Sequence, residues 1–109
     1  MHPREHEERL AADVVLDVLR PHIDSGFIVA ELLAAPGFEA RPNLVLTVGG
    51  SGDGSIGFVG AHFAVVPANR EAEGWERDPF CLHVGDDGEL YGRGVTDCLG
   101  HVAILTDFL

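Results

Sequence analysis

Two side chains stand where short runs of apolar residues give out: His62, near the end of "SIGFVGAHF", and Asp97, after "GRGVT". An imidazole is a borderline nitrogen donor, and a carboxylate is a hard oxygen donor that can bridge two ions. Converging on one point, the two would suit a zinc-like cation. Both sit at the ends of strand-like segments, where a side chain can face a cleft. Composition alone leaves the other reading open, because a lone strand-end histidine is more often a hydrogen-bonded core residue than a ligand.

A second set of donors competes with the first. Cys81 and His83 in "CLH", with Cys98 and His101 in "CLGH", make a Cys-x-His and a Cys-x-x-His pair. Strand alternation puts Cys81 and His83 on one face. If all four met, they could hold structural zinc as a staple, and the chain would be a small non-catalytic binding or structural module. The spacing is that of no recognised finger, and buried thiols beside hydrogen-bonded histidines need fewer assumptions. Asp86, Asp87 and Glu89 around "GDDG" could line a calcium loop, but an Asp-Gly hairpin turn accounts for them more simply. Trp75 reads as a packing anchor for a long loop. His2, His6 and His22 read as solvated, and the acidic run Glu5, Glu7, Glu8 as a helix face that suits the positive N-terminal dipole.

The elements that must position these residues are short. From about Glu5 to Ile23, Leu10, Val14, Leu16, Val18 and Leu19 fall among charges at spacings near three and four, which predicts an amphipathic helix, ended or kinked at Pro21. "GFIVAELL", "NLVLTV" and "SIGFVGAHF" predict strands. The short "GGSGDG" link makes Leu44 to Val48 and Ile56 to His62 expected antiparallel neighbours. A loop from Val66 to Pro79 precedes a hairpin of "FCLHV" and "ELYGR". The final run "CLGHVAILTDFL" predicts a helix capped by Thr96 or Asp97. The expected fold class is α/β, an N-terminal helix on a mixed sheet of about four or five strands, with the last helix on the same core and His62 and Asp97 at the sheet's carboxyl edge. The chain stops among apolar residues, as though cut.

Composition narrows the chemistry. The chain has 109 residues, 46% hydrophobic and 23% charged, which suits one soluble domain. Eighteen acidic against seven basic residues give a formal charge of −11, so nucleic acid and an anionic membrane would both be repelled. Lysine is absent, which removes Schiff-base chemistry and a P-loop lysine. No apolar run approaches the ~20 residues needed to span a bilayer. With two cysteines and a charged start lacking an apolar signal core, the expectation is a cytoplasmic protein with reduced thiols.

The stretch "GAHFAVVPANREAEGWERDPFCLHVGDDGELYGRGVTDCLGHVAILTDFL" resembles the two signature blocks of a family of dizinc amidohydrolases: the acetylornithine deacetylases, succinyl-diaminopimelate desuccinylases and carboxypeptidases G. The family's first block reads His-x-Asp-Val-Val-Pro, then a tryptophan and Asp-Pro-Phe. Its second reads Gly-Arg-Gly, two residues, Asp, and a glycine three positions on. The likeness covers about residues 43 to 109, and "TDCLGHVA" is most similar to the acetylornithine deacetylase branch. It implies part of a zinc-peptidase-like α/β catalytic domain, here a single truncated unit over 1–109. It also implies two zinc ions in the complete site, with cobalt a possible substitute. His62 resembles the histidine that binds one metal, and Asp97 the bridging aspartate, followed by a cis peptide at Asp97–Cys98. "WERDPF" and "LYGRG" resemble scaffold, with Gly92 and Gly94 serving tight backbone geometry.

Ala64 departs from the pattern. Family members carry there an aspartate that hydrogen-bonds the imidazole from behind, a partner whose loss costs ~10–100-fold in metal affinity or activity. The remaining ligands, the glutamate base and the dimerisation domain of the family lie in sequence this chain does not contain, so none of its residues is assigned a catalytic role. The resemblance implies hydrolysis of an N-acyl bond on a small amino acid, with N-acetylornithine the leading substrate. It places that activity in arginine biosynthesis and leaves the 109-residue chain inactive by itself.

Overall fold

The computed structural model describes residues 7–50, 52, 54 and 59–109. In chain order its elements are α1 (Arg9–Asp24), β1 (Ile28–Leu33), β2 (Asn43–Val48), α2 (Arg70–Glu73), β3 (His83–Val84), β4 (Leu90–Tyr91) and α3 (Gly100–Phe108). The expected helix start at Glu5, His2 and His6, and residues 55–58 of the expected third strand lie outside the described residues.

α1 buries Ala12, Val15, Leu16 and Leu19, a single stripe at helical spacing. Leu10, Val14 and Val18, counted toward the apolar pattern in the sequence, are exposed. They lie four residues apart on another face, so the apolar residues of this helix span more than the surface it packs. Pro21 does not end the helix. The chain continues to Asp24 and stops where Gly26, at φ +83°, donates its N–H to the Ile23 carbonyl. At the other end Arg41 donates two hydrogen bonds to the Glu8 carboxylate, at 3.0 and 2.9 Å, and the Arg9 N–H reaches the Ala40 carbonyl at 2.9 Å. Both contacts join the start of α1 to the β1–β2 connection.

The sheet differs from expectation. β2 pairs with β1, antiparallel, from Ile28 opposite Val48 to Leu33 opposite Asn43. Residues 59–62 carry no strand conformation. Among the described residues β1 is the one partner of β2, and residues 55–58 of the expected partner lie outside them. The hairpin around Gly85–Gly88 forms as expected but is two residues deep, with His83 opposite Tyr91 and Val84 opposite Leu90. In place of one mixed sheet of four or five strands, the described residues hold two separate two-stranded antiparallel sheets beside the helices. The class is still mixed α/β.

The core is small. Val15, Leu19 and Ile28 are buried together, with Ile23, Leu44, Leu46, Phe63, Val102 and Leu109 packed around them. α3 therefore docks on the same core as α1 and the first sheet, as expected, and Phe63 brings the site-bearing segment onto it. The radius of gyration is 16.2 Å, against about 13 Å for a compact chain of this length. Ile104 and Phe108 of α3 are 67% and 82% exposed, so this helix offers the core one side only.

Candidate metal centre

His62 is positioned by its neighbour. Phe63 packs inward onto the core, while the adjacent His62 lies outward, its side chain 56% exposed. This explains an apolar residue directly after the candidate ligand: Phe63 is the anchor that aims the imidazole.

Asp97 is positioned by a tight turn. Arg93 N–H reaches the Pro79 carbonyl, Val95 N–H the Gly92 carbonyl and Leu99 N–H the Gly94 carbonyl, which folds residues 92–99 into a kinked approach to α3. Two glycines make it possible. Gly94 has φ +86°, and a Cβ there would lie 2.5 Å from Val65 Cγ1. At Gly100 a Cβ would lie 2.3 Å from the Val95 carbonyl oxygen. Gly92 keeps an ordinary φ, and a Cβ there would meet Val95 Cγ2 at 3.3 Å. The Asp97–Cys98 peptide is cis, at the bond expected from the family resemblance. Neither Thr96 nor Asp97 caps α3, which begins from Leu99 with no side-chain cap. The turn intervenes, and the Asp97 carboxylate faces His62 instead.

The two side chains meet. His62 Nε2 lies 3.0 Å from Asp97 Oδ1, and both are exposed on a cleft that also involves Val66, Trp75 and Arg93. His62 Nδ1 lies 2.8 Å from the Ala64 carbonyl oxygen. A carbonyl can only accept, so Nδ1 carries the hydrogen and Nε2 is the atom turned on the carboxylate. In a neutral ring that places a nitrogen lone pair against an anionic oxygen. The contact becomes favourable when a metal cation sits between them. The alanine side chain cannot replace the family's aspartate, but the main chain of the same residue takes its hydrogen bond.

The cleft wall is built from the 66–79 loop. Asn69 Oδ1 accepts from Ala72 N–H at 3.0 Å, and the Glu73 carboxylate accepts from Asn69 N–H at 2.5 Å, reciprocal caps that start the single-turn α2. Glu73 also pairs with Arg93, whose guanidinium lies 5.6 Å from the centre of the Trp75 ring. The Asn69 N–H, followed by Arg93, holds the Glu73 carboxyl below its ordinary value. Trp75 thus stacks under Arg93 at the edge of the cleft. Asp78 accepts from Phe80 N–H at 2.9 Å, which forms the Asp-Pro-Phe corner.

Among the described residues the one group of three or more possible metal donors within 4.8 Å of one another is His62, Asp97 and Cys98. Cys81, His83, Cys98 and His101 do not gather. Cys81 is exposed and lies against Asp78, His83 sits beside Tyr91 in the small hairpin, and only Cys98 is near another donor pair. The zinc-stapled arrangement therefore has no geometric support. Nor do Asp86, Asp87 and Glu89 form a donor group: Asp87 accepts from Tyr91 Oη at 2.7 Å and from Glu89 N–H at 2.9 Å, as a turn residue does. Sequence reasoning missed the Ala64 carbonyl and the company Cys98 keeps. A nitrogen, an oxygen and a sulfur donor suit zinc in type, though three are fewer than a closed structural site uses.

A protein-family model described as peptidase family M20/M25/M40 matches residues 58–109. An acetylornithine deacetylase of Dictyostelium discoideum is 41% identical over 102 residues, 85% of this chain and 22% of that protein. One of Arabidopsis thaliana is 43% identical over 107 residues, 94% of this chain and 23% of its own length. A succinyl-diaminopimelate desuccinylase of Methylobacterium radiotolerans is 45% identical over 100 residues, 91% of this chain and 24% of its own. The chain spans less than a quarter of the length of these relatives. No solved structure gave a significant match.

Proposed function

Given that this chain belongs, through residues 58–109, to the peptidase family M20/M25/M40, we propose that it is the N-terminal part of the catalytic domain of a zinc-dependent amidohydrolase that cleaves an N-acyl bond on a small amino acid. N-acetylornithine is the leading substrate, because two of the relatives above are acetylornithine deacetylases matched over most of this chain. That assignment would place the enzyme in arginine biosynthesis. The observation that carries the reading is the 3.0 Å approach of His62 Nε2 to Asp97 Oδ1, with Nδ1 already occupied by the Ala64 carbonyl.

His62 and Asp97 would hold zinc, the imidazole through Nε2 and the carboxylate as the donor able to span two ions. Bound there, zinc supplies Lewis acidity and water activation at neutral pH. The residues of this chain prepare that site. Ala64 fixes the tautomer, Phe63 fixes the direction of the ring, and the Gly94–Gly100 turn presents the carboxylate to it. The loop carrying Trp75 and the Glu73–Arg93 pair walls the cleft on which the substrate would lie. The chain offers no carboxylate at position 64, and among the described residues no paired glutamates join the donor group, so the 109-residue chain alone is assigned no turnover.

Among the described residues no helix is long and apolar enough to cross a membrane. Cys81 and Cys98 are free thiols, in keeping with a cytoplasmic setting. The strong negative charge argues against nucleic acid as a partner.

The test compares the 109-residue chain with the natural-length protein that carries it. Zinc affinity, by competition with a chromophoric chelator, should fall at least ~100-fold in His62→Ala and Asp97→Ala of the long form. Hydrolysis of N-acetylornithine should appear in the long form alone. Unchanged zinc affinity in both variants would remove the ligand assignment, faster turnover of N-succinyl-diaminopimelate would change the substrate, and turnover by the short chain would overturn its inactivity.

A further inference from the structure

The metal-ligand segment has almost nothing of its own to hold it. Among the described residues no backbone-to-backbone hydrogen bond fixes residues 59–66. His62 is nevertheless held at its own peptide groups. The Cys98 sulfur accepts from the His62 N–H at 3.2 Å, and the thiol lies 3.4 Å from the His62 carbonyl oxygen in donor geometry, across 36 residues of sequence. Cys98 is 8% exposed, so water does not compete strongly for these contacts. A thiol is a weak donor and a weak acceptor, and here one sulfur does both for one residue, much as a neighbouring strand would.

We propose that Cys98 is a positioning residue, whose thiol holds the main chain of His62 while the Ala64 carbonyl holds its ring. The inference rests on the reading of His62 as a zinc ligand. It gives the residue after Asp97 a task distinct from metal binding: the bond that follows the carboxylate donor also brings in the side chain that registers the nitrogen donor. One turn thereby sets both halves of the pair. The sulfur faces two peptide groups, and that use of its lone pair and hydrogen makes it a clamp.

In the natural-length protein, Cys98→Ser should keep zinc affinity within about threefold, since a hydroxyl can also donate and accept. Cys98→Val, similar in size but with neither function, should lose about 10-fold. Rescue by serine separates positioning from simple packing. Cobalt supplies the second readout, because a sulfur-to-cobalt charge-transfer band in the unsubstituted protein would make Cys98 a ligand and overturn the proposal. A third readout needs no variant: the His62 amide should exchange hydrogen more slowly than those of Ala61 and Phe63, and equal rates would overturn the clamp. If zinc binding requires His62 but Cys98→Val binds as tightly as the unsubstituted protein, the positioning role fails and the metal reading stands. If zinc does not bind while the His62 amide is still protected, the metal reading fails and takes the positioning role with it.

Discussion

The α1–β1–β2 layer and the His62–Asp97 segment are held by different forces, and the difference separates stability from function. In the first, Val15, Leu19 and Ile28 are buried at 7%, 2% and 1% exposure, and a six-residue ladder pairs the facing main-chain groups of β1 and β2. Its strength lies in area removed from water, which is cumulative and tolerates small shifts. The site segment has one core anchor, Phe63, and is otherwise set by single hydrogen bonds to Ala64 and Cys98 and by two glycines with no room for a Cβ. Such contacts contribute little stability each but define direction.

The sharpest way to break the comparison is to strike each region once. Leu19→Ala should destabilise the fold by about 2–5 kcal/mol, through lost transfer energy and a residual cavity. Zinc affinity of the fraction still folded should stay unchanged, as read by chelator competition below the melting range. Gly100→Ala should behave in the opposite manner. Its new methyl would strike the Val95 carbonyl oxygen, so the turn must open at a cost on the order of 1–3 kcal/mol, and zinc affinity should fall with it. Equal losses of affinity in the two variants would show that core and site are one cooperative unit.

A smaller change sharpens the account of Ala64. The family pattern implies that a missing carboxylate behind the histidine costs ~10–100-fold. In this chain the Ala64 carbonyl already accepts from Nδ1 at 2.8 Å. Ala64→Asp should therefore tighten zinc by less than about 10-fold in the natural-length protein. A gain near 100-fold would mean that the carbonyl is a poor substitute for the carboxylate.

The smallest effect is expected at the second hairpin, whose own side chains lie outside the donor group. The Tyr91 hydroxyl, followed by the Glu89 N–H, holds the Asp87 carboxyl below its ordinary value, and Asp87 in turn holds the Tyr91 hydroxyl above its own. A lowered carboxyl contributes stability that is present above its unfolded value of 3.8 and is lost as pH falls through the folded one. Amide exchange in the hairpin should therefore quicken as pH is lowered from about 5 toward 3, after correction for intrinsic rates, and Tyr91→Phe should flatten that dependence. An unaltered profile in Tyr91→Phe would show that the Glu89 N–H alone is responsible.

Several features were legible without coordinates because their causes are local. The helix α1, the turn at "GDDG" and the helix after Asp97 depend on spacing within a few residues, although of the apolar positions read for α1 only Leu16 and Leu19 lie on its buried face. The His62–Asp97 pair was legible through the order of two motifs, and the structure brings these residues together. The pairing of β2 with β1 was not read from the sequence, and most of the strand expected beyond "GGSGDG" lies outside the described residues. That β1 lies along β2 and buries Ile28 depends on how segments distant in sequence pack, and no window of sequence contains that comparison.

By itself, the sequence determined where helices and turns could form, which side chains could bind a cation, and the strongly negative charge of the chain. The tertiary structure decided which strand pairs with which, that Cys98 joins His62 and leaves Cys81 and His83 elsewhere, and that the Ala64 carbonyl meets the His62 ring. The reason is physical. Hydrogen bonds from the main chain are available to every residue whatever its side chain, so their use at one site depends on how distant segments pack against one another.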